Sequence, residues 1–156
     1  VNSWGAAIES DWPYREEKFA IRPPKVAWDS ARLHKALKYA RVSINTAQCK
    51  AVLNSGFPVV MGFMVYEDFM GEEVALTGNV RVPTRGEVSI GGHAVLMVGY
   101  SDVSWVDLVT GKVMQPGFIF RNSWSRDWGC SGYGILPYSY IIPNLVEDFW
   151  QINAVS

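Results

Sequence analysis

The 156-residue sequence predicts an α+β fold built on an antiparallel sheet. Three observations carry that expectation. Helical spacing of apolar residues is confined to the first third. The remainder holds strand-like apolar runs separated by glycine-bearing stretches, and no strand–helix–strand alternation relates them. With 49% hydrophobic and 13% aromatic residues, the chain has material for one core, and disorder is excluded. No repeat or linker interrupts it, so residues 1–156 read as a single domain or as a large part of a slightly bigger one.

The opening residues are turn-rich. Asp11-Trp12-Pro13-Tyr14 and Arg22-Pro23-Pro24-Lys25 each place a proline that forces its neighbour out of helix. Asp29 or Ser30 then caps a short helix, whose Leu33, Ala36, Leu37 and Ala40 recur at the spacing of one buried face. His34 falls one position off that face and reads as structural. Asn45 opens a second helix in which Cys49, Val52 and Leu53 share a face and which Gly56 closes.

Residues 58–66 (PVVMGFMVY) are apolar on both faces, as expected of a strand covered on two sides. Residues 93–100 (HAVLMVGY) form a second run, which His93 starts directly after Gly91-Gly92. Residues 118–124 (FIFRNSW) form a third, ending in polar positions. Trp150, Ile152 and Ala154 alternate with Gln151 and Asn153, a strand with one wet face. The stretches carrying Gly71, Gly78, Gly86, Gly91 and Gly111 read as loops, and Glu72-Glu73 as a solvated face.

Charge removes several function classes. Fourteen Lys and Arg against fifteen Asp and Glu give a net charge of -1, without the positive surplus of a nucleic-acid binder or polybasic membrane anchor. No apolar run is long enough to cross a membrane as a helix. Cys49 and Cys130 lack zinc-ligand spacing and cannot build a disulfide framework, so no metal or cofactor is expected. One disulfide between them leaves the redox compartment open, with an extracytoplasmic location favoured. Asp102 and Asp107 follow His93, but a Gly-x-Ser-x-Gly turn and a phosphate-binding glycine loop are both absent. The sequence opens on Val1 without a charged-then-apolar leader and reads as a processed chain or a fragment.

Five elements in fixed order narrow the field: His93-Ala94-Val95, Val98-Gly99-Tyr100, Asn122-Ser123-Trp124, Trp128-Gly129 and Gly132-Tyr133-Gly134. Together they resemble the papain-like cysteine peptidases, and the set is specific where each alone is weak. Asp11-Trp12-Pro13-Tyr14 resembles the turn before the family's cross-over. The segments around Cys49 and residues 56–63, Leu136-Pro137-Tyr138 and Asp148-Phe149-Trp150 look like bacterial members. The resemblance covers nearly the whole chain but only the C-terminal two-thirds of the family's catalytic domain. The Gly-Ser-Cys-Trp-like stretch that carries the family's nucleophile, and the glutamine of its oxyanion hole, have no counterpart here.

The resemblance implies a papain-like fold, mainly its antiparallel β-barrel half with short preceding helices, as a single partial peptidase domain over 1–156. It implies His93 as the general base and acid that pairs with a thiolate, and Asn122 as the amide that orients it. Trp124 would shield that pair, while Trp128 would wall the leaving-group side and Gly92 and Ala94 leave room for a substrate side chain. Ser125 stands where many members carry glycine. Cys49, on a packed helix face, and Cys130, in a Gly/Ser turn, are not expected to be the nucleophile, and each thiol should titrate near its ordinary pKa. The reading is therefore a cysteine peptidase acting on peptides or proteins, with its catalytic Cys on a companion polypeptide or a missing segment. Two alternatives stand beside it: a non-catalytic binding module on the same scaffold, and a transferase using the same Cys-His chemistry.

Overall fold

The computed structural model describes residues 3–108, 111 and 113–155. Val1, on which the sequence opens, and the side chain of Ala154 lie outside the described residues. The chain divides into two compact units, one of residues 1–40 with 152–156 and one of residues 41–151.

In the first unit, a 3-10 turn (Glu16–Lys18) precedes α1 (Lys25–Arg32). Pro24, extended at ψ 167, is the residue from which α1 starts. Its missing N–H costs nothing at that end of a helix. Asp29, expected as a cap, lies inside α1 and pairs with Lys25 one turn back. Trp28 Nε1 donates to Pro23 O at 3.0 Å, and its ring meets Trp4 edge-on. The helix expected to run on through Ala40 stops at Arg32, and Ala36–Arg41 is strand β1. Leu33 and Leu37, assigned to a buried face, are exposed. The spacing fits a helix, but pairing with a neighbouring strand outweighs that local preference. His34 follows α1 and its Nδ1 lies 2.9 Å from Ser30 O, consistent with a structural role.

The second unit holds the sheet. Asn45 caps α2 (Thr46–Asn54) by accepting from Gln48 N at 2.8 Å, and Gly56 follows it at φ +84. Strand β2 (Val59–Tyr66) leads through a 3-10 turn (Glu67–Met70) to α3 (Glu72–Thr77). This third helix replaces the loop expected there, with Glu72 and Glu73 in its first turn, where the helix dipole favours acids. Strand β3 (Ser89–Ser101) is followed by the short β4 (Trp105–Val106) and β5 (Val113–Met114), which pair with each other. Then come β6 (Gly117–Arg121), β7 (Tyr133–Pro137), a 3-10 turn (Tyr138–Tyr140) and β8 (Val146–Val155).

The strands pair antiparallel in the order β8-β2-β3-β6-β7. Val59, Met61, Phe63 and Val65 of β2 bury one face, while the alternate residues are half-buried rather than covered. That buried face meets Phe118 and Phe120 of β6 and Phe149 of β8 in the core. The sheet is open, not the closed barrel implied by the resemblance. The outer edge of β7 is taken instead by the segment after α3, where Val80 N donates to Ile135 O and Ile135 N to Gly78 O. Along β8 the register slips by one residue at Asp148, which sits at φ +55 as the extra residue of a bulge. Among the described residues no helix is long and apolar enough to cross a membrane.

Candidate active site

Strand alternation brings the histidine and the asparagine together. His93 pairs with Phe63 of β2, and the two-residue period places it on the core face with Val95 and Met97. It lies four residues inside β3 rather than at its start, since Ser89–Gly92 also pair with β2. On β6 the same period runs Phe118, Phe120 and then Asn122, one residue beyond the strand end at Arg121. Asn122 N donates to Gly132 O at 2.9 Å, which holds that backbone in place after the ladder stops.

His93 Nε2 lies 2.9 Å from Asn122 Oδ1, and Ser123 N donates to the same oxygen at 2.8 Å. Asn122 is 7% exposed, and its Nδ2 is buried without a hydrogen-bond partner among the described residues. Trp124 covers the imidazole, ring centroids 4.9 Å apart and planes 35° from parallel. Phe63 and Phe69 approach the imidazole from 5.8 and 5.9 Å. Trp124 remains 37% exposed, so it stands between the pair and solvent. Trp128 is buried and packs on Phe69, Phe120 and Trp124. Most of its ring is committed to packing, which leaves little of the wall expected to face a substrate. Gly134 passes so close that a Cβ there would come within 2.9 Å of the Trp128 ring.

Gly92 and Ala94 are exposed, and a Cβ on Gly92 would meet nothing within 4 Å. Ala94 pairs with Gly62, which in turn pairs with Glu147. Paired residues share a face, so Ala94, Gly62 and Glu147 form a shelf on the side of the sheet opposite His93. Glu147 Cγ lies 3.4 Å from where a Gly62 side chain would begin. Sequence reasoning missed both Glu147 and Phe69. An isolated acid in a strand and a single Phe in a short turn carry no motif. Only the register and the ring contacts reveal them.

Neither thiol joins this cluster. Cys49 is fully buried on α2, and burial pushes it up to about 11. Cys130 Sγ donates to Asp107 Oδ2 at 2.7 Å, and that carboxylate pushes it up to about 11 as well. Both values correct the expectation of ordinary thiols. Asp107 and Cys130 meet because the β4–β5 hairpin returns over β6 and β7, a contact 23 residues long in sequence. Ser125 sits at φ +69, a conformation that glycine adopts freely and serine does not.

Solved structures with this architecture define the class. Xylellain, a cysteine protease from Xylella fastidiosa, superposes with a TM-score of 0.78 at 31% identity, over 99% of this chain and 59% of its own. The fold is papain-like, α+β with an antiparallel sheet. The model of the papain family cysteine protease matches residues 1–139. An uncharacterized peptidase C1-like protein of Acanthamoeba polyphaga mimivirus is 38% identical over 165 residues, covering 100% of this chain and 50% of that protein. Cathepsin B-like CP3 of Giardia intestinalis is 38% identical over 135 residues, covering 83% of this chain and 40% of that one. The chain belongs to the papain family of cysteine proteases. It spans about half the length of these curated relatives.

Proposed function

We propose that these residues form the histidine-bearing part of a bacterial-type cysteine peptidase that hydrolyses peptide bonds through an acyl-thioester. The observation that carries the reading is the 2.9 Å contact between His93 Nε2 and Asn122 Oδ1 beneath Trp124. An amide oxygen accepts the Nε2 proton, which leaves Nδ1 as the basic atom and adds no charge. A thiolate paired with the protonated ring attacks the carbonyl carbon, and the peptide C–N bond breaks as His93 protonates the leaving amine. Water, deprotonated by the same ring, then cleaves the thioester and releases acid and thiol. The nucleophilic cysteine belongs to sequence outside these 156 residues, on a companion polypeptide or another stretch of the same one. What supports this is that Cys49 is enclosed in the core and Cys130 is engaged with Asp107. Trp124 limits water at the hydrogen bond, Trp128 supports Trp124, and Gly92 and Ala94 admit the substrate.

The test is turnover of a peptide library by the full-length protein, followed by intact mass after a thiol-directed peptidase inactivator. Hydrolysis with one label on a cysteine other than Cys49 and Cys130 is the expected result. Peptide binding without cleavage would identify a binding module, and transfer to an added amine in preference to water would identify a transferase.

A further inference from the structure

The aromatic cluster around the imidazole converges on one ring that the sheet does not carry. Phe69 is 3% exposed and lies 5.4 Å from Phe63, 5.9 Å from His93, 5.4 Å from Trp124 and 5.7 Å from Trp128. It belongs to the Glu67–Met70 turn, and a single 3-10 turn has little stability of its own. A side chain from the segment after α3 holds it. Arg81 Nε is 3.0 Å from Asp68 Oδ2, on the residue next to Phe69. Arg81 Nη2 is 2.6 Å from Glu87 Oε1, two residues before β3 begins. Glu87 is fixed in turn, accepting from Thr84 Oγ1 at 2.7 Å and donating its N–H to Thr84 O. One guanidinium therefore ties the turn that carries Phe69 to the approach of the strand that carries His93. A planar fork serves two carboxylates better than a single ammonium point charge does. Thr84 and Arg81 hold the Glu87 carboxyl below its ordinary range, so that arm of the clamp stays charged through neutral pH.

We propose that Arg81 is a positioning residue which, through Asp68 and Glu87, sets Phe69 against His93 and Trp124 and so fixes the plane of the imidazole. The proposal rests on the reading of His93 as the base. Arg81 makes none of the contacts of the candidate site itself, so its loss falls on the geometry of proton transfer and not on substrate affinity.

The experiment compares wild type, Arg81→Ala and Arg81→Lys in the full-length protein, measuring kcat, KM and the His93 imidazole nitrogen resonances. Arg81→Ala should lower kcat by about tenfold with KM within about twofold, because small misplacements of reacting groups are costly. The His93 resonances should move, and Arg81→Lys should recover part of both effects. Arg81 is partly exposed, so high salt should bring wild type toward the variant while leaving the variant unchanged. Should Arg81→Ala fail to fold, the isosteric Asp68→Asn cuts the arm nearest Phe69 and is read by the same measurements. Active wild type with unmoved kcat and unmoved resonances in the variants would overturn the positioning role. Moved resonances in a protein that cleaves nothing would instead sustain the clamp and sink the peptidase reading.

Discussion

The backbone N–H of Ser123 decides which proton His93 carries. Both groups converge on one atom of Asn122, at 2.8 and 2.9 Å. A backbone amide only donates, so the atom it meets is the side-chain oxygen and not the nitrogen. The His93 nitrogen at the same oxygen must then donate as well. The neutral imidazole is the Nε2–H tautomer, with its lone pair at Nδ1.

Turnover should respond unequally to the two partners. His93→Ala should remove nearly all activity of the full-length protein, since acid–base transfer alone is worth about 10²–10⁴-fold. Asn122→Ala should cost less, because it orients the ring and makes no bond. Steady-state kinetics on variants of matched stability checks the order, and a larger loss at Asn122 would reverse the assigned roles.

Thiol chemistry offers a second check. Cys130, pushed up to about 11 by Asp107, should alkylate at pH 8 roughly two orders of magnitude more slowly than an ordinary cysteine. Asp107→Asn removes the carboxylate and should speed the reaction. Mass-resolved labelling rates measure this, and stoichiometric labelling of Cys130 with loss of activity would point to a different nucleophile.

Alkaline pH should destabilise the fold. The buried Cys49 thiol titrates at about 11 in the folded chain and near 9 when unfolded, so above 9 the unfolded state releases its proton first. Stability is therefore full below pH 9 and falls as pH rises toward 11, by an amount on the order of 2 kcal/mol. Burial also pushes the Tyr140 hydroxyl up, which extends the decline to higher pH. Urea midpoints between pH 8 and 10.5 should drop, and Cys49→Ala should flatten the early part of that drop.

The Ala94–Gly62–Glu147 shelf predicts a preference for a basic substrate side chain beside Ala94. Replacing a charge-assisted contact with a neutral one at Glu147→Gln should cut the ratio of kcat/KM for basic over neutral side chains by about tenfold. Peptide-library profiling reads the ratio, and an unchanged profile would remove Glu147 from the substrate path.

Ser125 stores backbone strain at φ +69. Ser125→Gly should raise stability by about 1 kcal/mol, the scale of a left-handed conformation relieved of its Cβ clash. Thermal denaturation decides it, and a lower midpoint would show that the serine side chain offsets the strain.

Much of this was legible because local chemistry and tertiary structure agreed. The Asn45 cap, the Cys49 face and the Gly56 terminus of α2 are each set by neighbours in sequence. Asn122 and His93 could be named from their motifs, yet their distance depends on the β3–β6 pairing, 29 residues apart. Residues 36–41 fit a helical spacing and a strand alternation alike, and only a partner strand chooses between them. Phe69 and Arg81 were illegible for a related reason. Ionic contacts across a loop leave no period to read.

The bulge at Asp148 makes strand β8 two reading frames joined by one unpaired residue. Val146 and Phe149, three apart, both point into the core, which an unbroken strand forbids. Deleting Asp148 would close the bulge and leave Val146 and Phe149 two apart, so that a regular strand would still turn both inward. Inserting a residue between them would instead demand a further irregularity to keep both there. Lengthening the preceding 141–145 segment by one residue would change neither assignment. Length variation in this part of the molecule should therefore collect ahead of the strand, with loss of the one bulge residue the only change of length the strand itself absorbs, which makes a single left-handed residue the point at which the chain can shorten.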